Sequence, residues 1–582
     1  MIKSKVFNSK AIIRIKNGLC ETTEDIFSSH FFKDVIRLCI NDLQAKQSPL
    51  LGIFGDKTID EQNIDLLIEA LRHLSKMPIK AVTAVVDDSE VFFRDSTLLA
   101  HFVQYLYDFW IGFERFTICE AEGEIFDKRL SNQFSRSVDR LNGLIQKAYQ
   151  DIEDNISMNY VRIHRQVIAG GDISAVGMRK EIPYPELYKD LNRIQIIRKV
   201  LLYPPLVLDP SMNKRTGQFI KIDQNPMKHC QLNPDEWLCY PAKVGPLLIN
   251  IYFHETFIDL GLSLCNLFDL ANPEELKRKP DAVYLFGVPD DSLDGLASFP
   301  TVFYDDEEND MLVAAIPNRQ QFGYFGYLKK MVLTLHNIKM MKQGKWPFHG
   351  ALVRITLKDG KSATILMIGD TGAGKSETLE AFRVIGGEEI GEMLIIADDM
   401  GSLQIDEQEG ILGYGTEIGA FLRIDDLQSG YAFGQLHRSI IMSAGRVNAR
   451  IVIPVTDFKS VISGHQIDFI LYCNNYDEVD EDRPLLEPFS TAEEALDVFR
   501  KGAVMSKGTT TSSGLVYNYF GNIFGPVQYK KMHDELAEKY FAAFFEKGVY
   551  VGQLRTRLGL PGWEFKGPEE AARELAKQIR NR

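Results

Sequence analysis

One stretch of the chain has the composition of a loop that binds phosphate groups. An apolar run (ATILMI) leads into glycines, and a Lys-Ser pair then opens a segment with helical spacing. The glycines let backbone N–H groups face phosphate oxygens, and the helix adds the positive end of its dipole. The loop consists of Gly369, Asp370, Thr371, Gly372, Ala373, Gly374, Lys375 and Ser376, and Glu377 follows it.

The last residues of this loop have the side chains that a bound nucleotide requires. Lys375 is expected to reach the β- and γ-phosphates, and the hydroxyl of Ser376 suits the Mg²⁺ that accompanies them. The alternative is a glycine-rich turn that a Lys-Ser pair follows by chance. The flanking strand and helix patterns favour a site for a nucleoside triphosphate.

An acidic pair follows the next apolar run of the chain. Asp398 and Asp399 come directly after MLIIA, at the expected end of a strand. A carboxylate there can face the phosphate loop across a parallel sheet, and carboxylate oxygens are suitable ligands for a divalent cation. The alternative is a turn or a helix cap, in which Asp-Asp pairs are common. The preceding phosphate loop favours a metal site.

Three segments, HGALV, GDTGAGKSE and ADDMG, resemble the core that HPr kinase and the phosphoenolpyruvate carboxykinases share. Upstream, GYFGYLKKMVLTLHNIKMMKQGKWPFHGALV resembles the carboxykinase segment in which a Tyr, a Lys-Lys pair and a His precede the phosphate loop. Lys330 and His349 are 19 positions apart, as in the ATP-dependent carboxykinases. The similarity covers residues 320–530, including the looser match SKGTTTSSGLVYNYFGNIFGP.

The resemblance implies a role for each matching residue. It makes Lys330, His349 and Asp399 the ligands of a catalytic Mn²⁺, Lys329 and Tyr324 substrate contacts, and Arg450 in NARIVIPV a clamp for a carboxylate or phosphate. A lysine binds a metal only as the neutral amine, so such a site must lower its pKa. Taken singly, these residues have ordinary interpretations as a solvated lysine pair, a core histidine and a surface arginine.

Two features depart from the carboxykinase pattern. The phosphate loop continues in Ser376-Glu377, as in HPr kinase, where carboxykinases usually have a small or apolar residue at the second position. The carboxykinase substrate loop, Arg-Ser-Pro-Lys, has no clear counterpart, and NKRTG with Arg215 is the candidate for its arginine.

Three functions are consistent with these patterns. The first is ATP-dependent conversion of oxaloacetate to phosphoenolpyruvate, ADP and CO₂, in which Asp398 assists Mg²⁺ at Ser376. The second is phosphoryl transfer to a hydroxyl of a small molecule or a protein, as in HPr kinase, with Asp398 as general base. The third is a nucleotide-sensing regulator whose N-terminal region binds a partner, although such a protein does not need a lysine metal ligand.

The elements that position these residues fall into three regions. Residues 1–205 contain apolar residues at helical spacing, as in DLLIEALRHL and HFVQYLYDFWIGF, and predict a mostly helical region. Residues 206–348 predict an α+β lobe, and residues 349–582 predict the P-loop nucleotide-binding lobe. We therefore expect an α/β (α+β) fold, with a bilobal core of the carboxykinase type and a helical N-terminal region.

Composition limits the partners. The formal charge of −14 disfavours nucleic acid and anionic membranes, and no run is long and apolar enough to span a bilayer. The seven cysteines include no CxxC pair, which argues against a disulfide framework and a structural zinc site. We expect a cytoplasmic enzyme with a small-molecule substrate; the sequence leaves its oligomeric state open.

Overall fold

The chain folds into two compact units with mixed α/β structure. The computed structural model describes residues 3–7, 10–15, 22–111, 114–119, 128–157, 163–165, 173–202, 204–385, 389–424, 436–506 and 514–582. One unit comprises residues 1–174 with 201–204, and the other comprises residues 175–200 with 205–582. The mixed α/β class and the helical N-terminal region predicted from the sequence are confirmed, whereas the proposed division of residues 206–582 into two lobes stays a prediction.

The first unit is built mainly from helices around one apolar core. Glu61–Leu74 shows why: Asp60 caps its first turn by accepting a hydrogen bond from the Asn63 N–H at 2.9 Å, and its buried residues recur at helical spacing. The helices are Thr23–Phe27, His30–Ala45, Glu61–Leu74, Ile79–Val85, Glu90–Phe93, Ser96–Ile111 and Lys128–Ser157. This unit also contains a three-stranded sheet, which the helical spacing did not predict, of Lys3–Phe7, Lys10–Ile15 and Glu114–Cys119.

The second unit contains a large mixed sheet that precedes the phosphate loop in the chain. Buried apolar residues occupy nearly every position of its central strands, as expected of strands covered on both faces. Two of its strands, Val302–Asp306 and Met311–Pro317, form an antiparallel pair. Neighbouring strands follow the order Gln195–Leu202, Trp237–Val244, Leu247–His254, Ala282–Val288, Met311–Pro317, Val302–Asp306 and Ile220–Ile222.

A second mixed sheet carries the phosphate loop. Its long strand Trp346–Leu357 pairs on one side with Ser362–Ile368 and on the other with Met400–Asp406 and then Ile390–Ala397. The strand order is His465–Gln466, Gly410–Gly415, Met400–Asp406, Trp346–Leu357, Ser362–Ile368, Phe469–Asn474, Tyr550–Arg555 and Leu486–Pro488. The apolar runs ATILMI and MLIIA, which precede the phosphate loop and the acidic pair, therefore both lie in this sheet.

A third, smaller sheet and a hairpin complete the strands of the second unit. The sheet has the order Gly419–Arg423, Arg450–Pro454, Ile440–Met442 and Leu206–Leu208, and the hairpin pairs Ala503–Ser506 with Gly514–Tyr517. The helices of this unit are Ile258–Ser263, Phe325–Lys342, Lys375–Ile385, Phe458–Ile462, Ala492–Lys501, Lys530–Glu546 and Lys566–Asn581. Within the described ranges, no helix has both the length and the apolar composition that crossing a bilayer requires.

Candidate functional site

The phosphate loop has the strand, loop and helix context that the sequence predicts. It connects the strand Ser362–Ile368 to the helix Lys375–Ile385. Gly374 has a φ of +98°, and a Cβ there would lie 2.5 Å from Oγ1 of Thr556, which donates a hydrogen bond to the Ala373 carbonyl. Only glycine therefore fits this position without strain. The loop backbone is thereby fixed close to the neighbouring strand end.

The lysine of the loop is buried and turned back onto the loop itself. Nζ of Lys375 donates to the carbonyl oxygens of Gly369, at 2.5 Å, and Asp370, at 3.0 Å. The loop thus holds a cationic group beside its backbone, as a phosphate-binding loop requires.

The acidic pair lies at the same edge of the sheet as the phosphate loop. The strands that precede them, Ser362–Ile368 and Ile390–Ala397, both run antiparallel to Trp346–Leu357 and so run parallel to each other. Trp346–Leu357 lies between them and carries His349. The Gly350 N–H donates to the Asp399 carbonyl oxygen at 2.9 Å, which places the histidine beside the carboxylate.

Four charged or ionisable side chains form a buried cluster at this edge. Nζ of Lys329 lies 2.7 Å from Oδ2 of Asp399 and 3.1 Å from Oε1 of Glu417. Nε2 of His349 lies 3.0 Å from Oδ1 of the same aspartate. Glu417 was not predicted from the sequence. The one feature that could have indicated it is a carboxylate between the glycines of YGTEIGAF. The Glu417 side chain is fully buried, so the Lys329 ammonium is the counter-charge that its ionised form requires.

The partners of the two ring nitrogens of His349 indicate whether this cluster can bind a cation. Nδ1 of His349 contacts the carbonyl oxygen of Gly521, which can only accept, so Nδ1 carries a proton. Nε2 faces Asp399, whose pKa is held well below its usual range because Lys329 and His349 outweigh its burial. A bare Nε2 lone pair against an ionised carboxylate is repulsive. A proton or a metal cation between the two atoms removes that repulsion, so the pair fits a divalent cation.

The two adjacent lysines have opposite electrostatic environments. They lie in the second turn of the buried helix Phe325–Lys342, where successive side chains point about 100° apart. Burial opposes the charge of Lys329, but Asp399 and Glu417 outweigh it and raise its pKa. Burial, together with the charge of Arg215, lowers the pKa of Lys330 to about 8. Lys330 is therefore the lysine better able to supply a neutral amine.

The pKa of Asp398 is shifted in the opposite direction from the pKa of Asp399. Burial raises the pKa of Asp398 to about 6, although the charge of Lys329 opposes this rise. Asp398 is thus close to the range in which a carboxylate can exchange a proton near neutral pH. The adjacent carboxylates therefore differ in what they can do: Asp399 stays ionised and Asp398 can accept a proton.

One cleft, with a volume of about 210 Å³, brings together the predicted loop, metal and substrate residues. Of the loop residues, Gly369, Asp370, Ala373 and Gly374 do not line this cleft. The predicted residues that line it are Tyr324, Lys329, Lys330, His349, Thr371, Gly372, Lys375, Ser376, Glu377, Asp398, Asp399 and Arg450. Residues that are more than 100 positions apart in the chain thus converge on one space.

Two further arginines belong to this region. Arg423, which sequence reasoning missed, pairs directly with Arg450 across antiparallel strands, and both line the cleft. Like charges at opposed positions repel unless an anion lies between them. Nε of Arg450 is buried and has no hydrogen-bond partner among the described residues. Arg215, the candidate from NKRTG, lies against the ring of Phe524, at 5.8 Å from its centroid, and Phe524 also lines the cleft.

A divalent cation in this cleft would need ligands of more than one chemical type. Within the described part of the chain, no group of three or more His, Cys, Asp and Glu side chains is arranged to hold a metal ion. His349 and Asp399 supply two such groups, and the amine of Lys330 is the third group that the resemblance assigns. Comparisons with models of protein families and with curated proteins returned no match.

Proposed function

We propose that the chain transfers a phosphoryl group from a nucleoside triphosphate, and that its reaction is that of an ATP-dependent phosphoenolpyruvate carboxykinase. The observation that carries the proposal is the single cleft in which the phosphate loop faces the cluster of Lys329, His349 and Asp399. A nucleotide-binding protein without chemistry at this position has no need for a buried lysine pair beside a histidine and a carboxylate.

The residues of the cleft suit the two halves of this reaction. In the first half, the bond between C3 and the C4 carboxylate of oxaloacetate breaks, CO₂ leaves, and the electron pair remains as an enolate. Arg450 and Arg423 would hold the anionic acceptor by charge-assisted hydrogen bonds. Lys329, which stays protonated, provides a fixed positive charge near the developing negative charge.

In the second half, the enolate oxygen attacks the γ-phosphorus and the bond to ADP breaks. Lys375 would exchange its carbonyl partners for phosphate oxygens and neutralise charge on the transferred group. Metal ions, Mn²⁺ at Lys330, His349 and Asp399 and Mg²⁺ at Ser376 with Asp398, would supply Lewis-acid stabilisation of these negative charges when bound. The apolar rings of Phe421 and Phe524 line the same cleft and would limit the access of water to the bound reactants.

A second candidate function is favoured by Asp398. Burial raises the pKa of this carboxyl to about 6, so at neutral pH it is mostly ionised and can take up a proton. An alcohol acceptor must lose a proton during transfer, whereas an enolate has none to lose. Phosphoryl transfer to a hydroxyl, as in HPr kinase, therefore uses the ability of Asp398 to accept a proton, which the carboxykinase reaction does not require.

The carboxykinase reaction can be measured in the reverse direction. The full chain is mixed with phosphoenolpyruvate, bicarbonate, ADP and Mn²⁺, and oxaloacetate is followed by its reduction with NADH and malate dehydrogenase. We expect NADH consumption that requires all four components. The matched controls are Lys375→Ala in the loop and Lys358→Ala on an exposed turn of the same sheet; only the first should abolish activity.

The second candidate function predicts transfer from ATP to an added acceptor, and this transfer depends on Asp398. If ADP forms from ATP only when an alcohol or protein acceptor is added, Asp398→Asn should abolish the transfer and leave nucleotide affinity unchanged. If the wild-type protein binds ATP but forms no oxaloacetate above the Lys375→Ala control, the carboxykinase assignment is wrong.

A further inference from the structure

A short segment after the hairpin contacts both the phosphate loop and the candidate metal site. We call Asn518–Phe524 the bridging segment. Its Asn518 side-chain amide donates to Oδ2 of Asp370 at 2.6 Å, and its Gly521 carbonyl accepts from Nδ1 of His349. The two contacts reach residues that are 21 positions apart in the chain and lie on different structural elements. No residue of this segment was predicted from the sequence as a site residue.

The backbone of the bridging segment is in an unusual conformation. Three successive residues have positive φ angles: +45° for Phe520, +68° for Gly521 and +67° for Asn522. For Phe520, a residue with a bulky side chain, this conformation costs about 1–3 kcal/mol. The ring of Phe520 is buried against Trp346, with 5.7 Å between their centroids, and this packing holds the turn in place.

Gly521 packs directly on the start of the phosphate loop. A Cβ at this position would lie 2.8 Å from the carbonyl carbon of Gly369 and 3.1 Å from the Asp370 nitrogen. The Gly521 N–H donates to the Asn518 carbonyl oxygen at 2.8 Å, which closes the turn. Asn518 therefore fixes Gly521 through its backbone and is itself fixed to the loop through its side chain.

We propose, building on the cation site proposed above, that Asn518 is a positioning residue for that site. Its bond to Asp370 holds the Gly521 carbonyl where it accepts from Nδ1 of His349, so that Nε2 presents its lone pair beside Asp399. Groups that orient a metal-binding histidine through its second nitrogen typically change metal affinity by 10- to 100-fold when they are removed. Asn518 thus links the shape of the phosphate loop to the strength of cation binding.

The experiment measures Mn²⁺ binding to the full chain without nucleotide, because nucleotides bind the metal themselves. MnCl₂ is titrated and the free ion is followed by its electron paramagnetic resonance signal. The site is the one that His349→Ala removes. We expect Asn518→Ala and Asp370→Ala each to weaken this site about tenfold. Because both break the same hydrogen bond, the double variant should bind no more weakly than either single variant.

Asn475→Ala is the matched control. The Asn475 side chain also bonds the phosphate loop, at the Gly372 carbonyl at 2.8 Å, but it does not contact the bridging segment. It should therefore leave Mn²⁺ affinity within about twofold of wild type, even if the melting temperature falls.

Two other outcomes have distinct meanings. If wild type binds Mn²⁺ through His349 and Asn518→Ala binds equally well, or if the two single effects multiply, the positioning role is wrong and the cation site stands. If wild type shows no Mn²⁺ site that depends on His349, the cation site and the positioning role both fall.

Discussion

Replacing Lys329 with methionine removes the positive charge from the buried cluster. The Lys329 side chain is only 2% exposed and lies between Asp399 and Glu417, at 2.7 and 3.1 Å. Methionine has a similar length but leaves two buried carboxylates without their shared counter-charge. Removing one partner of a buried ion pair costs about 3–5 kcal/mol, so we expect a loss of this size in the free energy of unfolding.

The pH dependence of this loss follows from the two partners. Despite burial, the carboxylates raise the pKa of Lys329, so its contribution is fully present at neutral pH and is lost only as the pH rises through the folded pKa. Burial raises the pKa of Glu417 to about 8, although Lys329 opposes this. Without Lys329 the pKa of Glu417 lies higher still, so Glu417 stays protonated in the variant at pH 8, whereas in the wild type it loses its proton near this pH. The stability difference between wild type and variant should therefore widen as the pH rises above 8 and stay constant below about pH 7.

The assay is urea unfolding followed by tryptophan fluorescence, to which Trp237, Trp346 and Trp563 of the second unit contribute. Lys501→Met is the control, because its ion pair with Asp497 is exposed and is expected to change stability little.

Glu417→Gln in the Lys329→Met background should restore part of the stability, because glutamine, unlike Glu417, does not have to take up a proton when it is buried. The reasoning is refuted if Lys329→Met costs no more than Lys501→Met, or if the added Glu417→Gln change lowers stability further.

Three further predictions concern binding and activity. Gly374→Ala should weaken ADP binding at least about tenfold in calorimetry, because its Cβ would meet Thr556 and its φ disfavours a side chain. Arg423→Met and Arg450→Met should each lower kcat/KM for the acceptor by about 10- to 150-fold, the loss of one charged hydrogen bond, without changing nucleotide affinity. Mn²⁺ affinity should rise with pH, by up to about tenfold per pH unit, and should level off above about pH 8, because burial lowers the pKa of Lys330 to about 8. Lys330→Met should flatten this rise in affinity. An unchanged pH profile in this variant would exclude Lys330 as a metal ligand.

Site residues were easier to predict from the sequence where they lie close together in the chain. The phosphate loop is continuous, so its glycines, its lysine and the flanking strand and helix were visible in one segment. The helix carrying Lys329 and Lys330 is buried around most of its circumference, and only the resemblance marked its lysines as more than a solvated pair. Its place beside Asp399 depends on the pairing of strands, which spacing alone does not specify.

The residues that sequence reasoning missed make their contacts through the fold. Glu417 and Arg423 belong to no local motif, and their importance comes from a buried counter-charge and from a cross-strand register. Asn518 acts through a backbone turn with successive positive φ angles, which composition does not reveal at Phe520. The small N-terminal sheet was missed because its parallel pair joins strands about 100 residues apart.

The lysine of the phosphate loop also decides which ligands can enter. Since the Lys375 ammonium already has two carbonyl partners, a ligand does not fill an empty position but competes with the chain's own oxygens. A neutral group offers the ammonium nothing that a carbonyl does not already provide, whereas a phosphate adds full negative charge. The loop should therefore select its ligands by their charge. A nucleoside, which has no phosphate, should gain little affinity from Lys375, and each added phosphate should make the replacement of the carbonyl oxygens more favourable.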